Sequence, residues 1–155
     1  YSTMAGIGNQ EVIFERLYRI PPDFANTFRL IFGNEIAEQY WNFLSNQIII
    51  LREIINAQIS GNVNGVHENT IRLYQNADDR AAFLVQINPF WNQNEWKKLI
   101  RTYLSMTLDE STRILARDYS SEIMIFDRIL FQSGQIADYF SLGLYYYIIG
   151  SSGLR

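Results

Sequence analysis

Few side chains in this chain can do chemistry, and their spacing decides how much they could do. There is one histidine, His67, and no cysteine among 155 residues. The missing cysteines exclude zinc knuckles, thiol chemistry and disulfides. A serine–histidine–aspartate arrangement would have to use His67, and no nucleophile-elbow motif accompanies it. His67 stands beside Glu68 and Asn69 near a helix start, the setting of a surface histidine. Di-iron bundles need Glu-x-x-His pairs on facing helices, and none occurs. Carboxylates do recur at helical spacing, Glu35 with Glu38 and Asp118 with Glu122. Such pairs could hold magnesium or manganese, but they also decorate any solvated helix face, and that reading is preferred. No catalytic residue, metal ligand or cofactor is predicted.

Phosphate and nucleic-acid chemistry find little support. No glycine-rich phosphate loop appears, and Gly61 to Gly65 reads as a helix stop and turn. Lys97, Lys98 and Arg101 form a small basic cluster without aromatic interleaving. With a formal net charge of −3 there is no global field to draw nucleic acid, and none is expected as a partner. The cations are 11 Arg and 2 Lys, a balance suited to fixed ion pairs between packed helices.

A different kind of candidate is polar where the pattern demands apolar. Gln47 falls between Leu44 and Leu51 on one helical stripe, and Tyr103 follows Trp96, Leu99 and Ile100 on another. A buried amide left unpaired costs roughly 1–3 kcal/mol, so Gln47 should find a partner among Asn76, Asp127, Gln132 and Gln135. Gln47, Asn76, Tyr103 and Asp127 are the pocket candidates. They would line either a site for a small apolar or redox ligand or a structural polar network that fixes helix register. The network is the preferred reading.

The elements that must position these residues are helical. Residues 9–19 read as a short helix, and Pro21-Pro22 opens a second over 21–32, ended by Gly33-Asn34. Long helices follow over 35–60 and 64–87. Ile36, Tyr40, Leu44, Leu51 and Ile54 mark the apolar face of the first. Val66, Ile71, Tyr74, Ala77, Ala81 and Leu84 mark that of the second. Asn88-Pro89-Phe90-Trp91 is a turn before a helix over 94–106. Thr107-Leu108-Asp109-Glu110 has the pattern of a capping box and predicts a new helix from about 108 to 147, with a bend available at Asp118 to Ser121. Short connections between long helices predict one all-α domain over 1–155, an antiparallel up-and-down bundle with additional short helices.

Aromatic residues make up 15% of the chain, and Tyr139-Phe140 with Tyr145-Tyr146-Tyr147-Ile148-Ile149 cannot all face one side of a helix. Some of them must be exposed or cover an interface, which predicts a homo-oligomer. No run reaches the roughly 18–20 apolar residues of a membrane span, and a cytoplasmic setting is expected.

Pro22-Asp23-Phe24 with Phe32-Gly33-Asn34, then Asn76-Ala77-Asp78 and Asn88-Pro89-Phe90-Trp91 with Trp96, resemble a family of small helical proteins of clostridia and related spore-forming bacteria. The likeness spans about residues 3–140 and adds spore or envelope association to the expected settings. Its members have no established function and often carry the name acetylglutamate kinase, for which this sequence has neither a nucleotide loop nor alternating strands and helices. The family pattern places His at the positions of Gln47 and Tyr103, Glu at that of Leu130, and a further His and Trp on a preceding helix. The resemblance thus implies a ferritin-like or haemerythrin-like metal bundle from which this chain departs at each of those positions. It also implies that an N-terminal helix is missing. The function expected is that of a non-enzymatic, self-associating structural or binding protein. A bundle holding a small apolar or redox ligand, or a degenerate metal protein, is the alternative.

Overall fold

The computed structural model describes residues 22–117 and 119–152. Among these the backbone forms five helices and no strand: α1 Pro22–Phe32, α2 Asn34–Ile59, α3 Val63–Ile87, α4 Gln93–Leu115 and α5 Tyr119–Ser152. The protein is all-α. The helix expected over 9–19 lies outside the described residues.

The chain divides into two compact units, Tyr1–Asn42 and Phe43–Arg155. In the first, Phe28 is fully buried, its ring 4.9 Å from that of Phe32 and stacked at 4.7 Å on Tyr40. Gly33, at φ +87°, turns the chain between α1 and α2 while its N–H caps the Arg29 carbonyl. Only glycine takes that backbone region without steric cost.

In the second unit, the pairs that touch establish the topology. Phe43 meets Phe83 and Glu53 meets Arg72, so α2 and α3 run antiparallel. Arg101 lies over Tyr74 and Lys97 reaches Asp78, so α3 and α4 are antiparallel too. Gln132 bonds the Leu99 carbonyl while Tyr139 meets Trp96, which sets α5 antiparallel to α4. The connections are short and capped. Gly61 ends α2 in a Schellman arrangement, with its own N–H on Gln58 O and that of Asn62 on Ala57 O. The Asn62 side chain accepts from Gly65 N, and the Asn92 side chain accepts from Asn94 N and Glu95 N, starting α3 and α4. Leu51, Ile54, Leu73, Ala77, Ala81, Leu84, Ile100, Leu104, Ile129 and Phe140 fill the interior.

Two expectations are corrected. There is no helix boundary at Thr107: α4 runs unbroken from Gln93 to Leu115, and the chain turns at Ala116-Arg117 instead, Arg117 taking φ +58°. Thr107 is buried, and its hydroxyl donates to the Tyr103 carbonyl one turn back. Bonding to the preceding turn is open to any helical threonine, and it takes away the oxygen that a capping box would need. On α3, Ile71 is 57% exposed, and Leu73 occupies the interior in its place.

Candidate functional site

A layer of polar side chains crosses the interior of the second unit. From α2 comes Gln47, only 4% exposed, one turn beyond Phe43. From α3 come Asn76 and the buried Arg80, again one turn apart. The Asn76 amide donates to the Phe43 carbonyl at 3.3 Å, which is also the helical acceptor position for the Gln47 N–H, so Asn76 sits on the same seam as Gln47. From α4 come Tyr103, Thr107 and the buried Glu110, which share a face by their spacing. Tyr103 is held above the ordinary tyrosine range, first by burial and then by the charge of Glu110. Arg80 and the bond to Thr107 act in the opposite direction. The layer therefore joins a buried cation and a buried anion around one phenol. Two acceptors in it, Gln47 Oε1 and Asn76 Oδ1, are buried without a hydrogen-bond partner among the described residues.

Three of the four pocket candidates, Gln47, Asn76 and Tyr103, stand in this layer. Asp127 does not: it lies exposed on α5. Gln132, also considered as a partner for Gln47, is buried but donates to Leu99 O at 3.1 Å, and Gln135 is exposed. Arg80 and Glu110 were not singled out from the sequence because charged residues are presumed solvated. The signal was nonetheless present, since Arg80 falls in step with Ala77, Ala81 and Leu84.

The other chemistry-bearing residues are accounted for at the surface. His67 is exposed. In the basic cluster two of the three cations share one carboxylate: Arg101 donates to both Asp78 oxygens at 2.8 and 2.6 Å, and Lys97 lies 3.5 Å from the same group. Those contacts, the Arg101 hydrogen bond foremost, hold Asp78 below the usual carboxylate range. Among the described residues, no three His, Asp or Glu side chains group closely enough to hold a metal ion. An open groove of about 350 Å³ runs between α4 and α5, where Ser105, Asp109, Thr112 and Arg128 surround Met106, Leu108 and Ile125.

The second candidate surface is the outward side of α5. One face of this helix, carrying Ile125, Ile129, Gln132, Phe140 and Leu144, packs into the bundle. The opposite side carries apolar residues as well, interspersed with the exposed Asp127, Arg128, Gln135 and Asp138. Met124, Phe131, Leu142 and Ile149 all point outward, together with Tyr145 and Tyr146. Phe131 is 69% exposed and Tyr145 59%. Met124 and Leu142, and likewise Phe131 and Ile149, are five turns apart at about 3.6 residues per turn, so they form a single stripe. Phe90, from the α3–α4 turn, extends the apolar surface by stacking on Tyr146. Among the described residues no helix is long and apolar enough to cross a membrane. Comparison of the chain with protein-family models, with curated proteins and with solved structures finds no match.

Proposed function

We propose that this protein is a non-enzymatic binding and assembly module that associates with further copies of itself through the outward side of α5. The observation that carries the reading is the second apolar face of that helix, with Phe131, Leu142, Tyr145 and Ile149 turned away from the bundle. A helix apolar on both sides belongs where both sides are covered, and a contiguous exposed apolar patch of this kind marks an association surface. Sedimentation velocity over a concentration series tests it. The wild-type chain is expected to associate, and Leu142→Glu with Ile149→Glu to sediment as a monomer of unchanged helicity. A wild-type chain that stays monomeric throughout overturns the reading.

A second reading places a small hydrogen-bond-donating ligand in the interior layer, and the unpartnered oxygens of Gln47 and Asn76 favour it. Native mass spectrometry of the purified protein tests that reading. A stoichiometric added mass that disappears in Gln47→Leu supports it, and an apo spectrum opposes it.

A further inference from the structure

The turn from α2 into α3 holds the sole Asn-Gly pair of the chain, Asn64-Gly65. We propose that Asn64 is a site of spontaneous deamidation and that the side chain of Asn62 sets its rate. The chemistry is intramolecular. The Gly65 amide nitrogen gives up its proton and attacks Asn64 Cγ, a C–N bond closes a succinimide ring, and the side-chain nitrogen of Asn64 leaves as ammonia. Solvent water then opens the ring at either carbonyl, giving aspartate at one and isoaspartate at the other. Water is taken up and ammonia released, and no oxidant or reductant is needed. Glycine admits the attack because no side chain crowds its nitrogen.

The folded turn holds this reaction back in two ways. Asn64 is exposed and is the second residue of α3. In a helix the Cα–Cβ bond tilts toward the N-terminus, so Asn64 Cγ is aimed away from the nitrogen of the next residue. That nitrogen is also occupied, since the Gly65 N–H donates to Asn62 Oδ1 at 3.0 Å. Attack needs the reacting atoms about 3–3.5 Å apart and aligned, so it proceeds only when the first turn opens and Asn62 lets go.

The first turn is built to open more readily than the rest of α3. Val63 is 77% exposed and holds the turn to little. No acidic residue stands there to complement the helix dipole. Glycine adds its own entropic cost to the helical state. Yet the cap requires glycine at this place: a Cβ on residue 65 would fall 2.6 Å from Asn62 Nδ2 and 3.3 Å from Ala57 Cβ. The residue that lets Asn62 close over the helix is therefore the one that makes the bond labile. The two products act in opposite directions. Aspartate at 64 places a negative charge where the helix dipole favours it. Isoaspartate lengthens the backbone between 64 and 65 and carries the Gly65 nitrogen away from Asn62.

Incubation of the full chain at neutral pH and physiological temperature tests the proposal. Peptide mapping by mass spectrometry follows conversion at residue 64, and electron-transfer fragmentation separates aspartate from isoaspartate. Native wild type is expected to convert more slowly than the same chain unfolded in urea. Asn62→Ala removes the accepting oxygen and should speed native conversion roughly fivefold, the rise in open first turn that loss of an N-cap brings. Asn62→Asp keeps an accepting oxygen and should convert no faster than wild type. All three should share one rate in urea. An Asn62→Ala rate equal to that of native wild type overturns the role of Asn62, as does a native wild-type rate equal to the unfolded one. An Asn64 that stays intact in urea overturns the site itself.

Discussion

At the scale of single residues, the interior is decided by which polar atoms have partners. Gln47 and Tyr103 were legible in the sequence because helical periodicity places positions without regard to residue type. A glutamine in step with Leu44 and Leu51 had to face inward. Asp127 was misplaced for a related reason: α5 is apolar on two sides, so its stripe alone could not reveal which side faced the bundle. Gln47 Oε1 lacks a hydrogen-bond partner among the described residues, so Gln47→Leu should raise stability by about 1 kcal/mol, measured by urea denaturation. A loss of similar size would instead reveal an ordered water bridging Gln47 and Asn76. A second residue-scale case is Gly143, where nothing in the sequence signals the close approach. Its carbonyl accepts the fully buried Asn88 amide at 3.0 Å, and an added Cβ would fall 1.7 Å from Trp91 Nε1. The Trp91 ring occupies that space while donating to the Tyr139 carbonyl at 3.3 Å. Gly143→Ala therefore has to displace an indole at the packed turn, and should cost about 3 kcal/mol in the same denaturation assay.

At the scale of elements, helix type and most boundaries were legible, and the failure at Thr107 shows what was not. Local capping chemistry and interior packing competed there. Leu104, Thr107 and Ser111 lie on the buried face of α4, and burial kept the helix continuous. The chain turns instead at Arg117, whose φ of +58° carries no sequence signature because glycine is absent. A left-handed conformation costs a side-chain-bearing residue about 1–2 kcal/mol. Arg117→Gly should therefore raise stability by about 1 kcal/mol, visible as a higher Tm with unchanged helicity. The α3–α4 seam carries a pH dependence through Asp78. Arg101, and secondarily Lys97, depress its pKa, so the unfolded chain binds this proton more readily than the folded one. The contribution is present above the ordinary Asp value of 3.8 and is lost as the pH falls through the lower folded value. Asp78→Asn should flatten the acid limb of the stability profile below pH 4, with little change in the slope between pH 5 and 8.

At the scale of the whole molecule, the same physics that assembles the bundle leaves it incompletely covered. The inward face of α5 is satisfied by α4 and the Asn88–Trp91 turn, and its outward face keeps Phe131, Leu142, Tyr145 and Ile149 in water. The sequence disclosed that some of the Tyr145–Ile149 cluster had to be exposed. It did not disclose that exposed apolar residues recur on the same side back to Phe131 and Met124, because that depends on the phase at which α5 docks against α4. If a second copy covers the stripe, part of the folding free energy belongs to the association step, and stability follows mass action. Tm by calorimetry should then climb by a few degrees over about a hundredfold rise in protein concentration. Leu142→Glu with Ile149→Glu should remove that dependence while leaving a cooperative transition, because both residues lie outside the bundle interior. A Tm that ignores concentration in the wild type would mean that this fold is complete as a single copy with its aromatic face open to solvent.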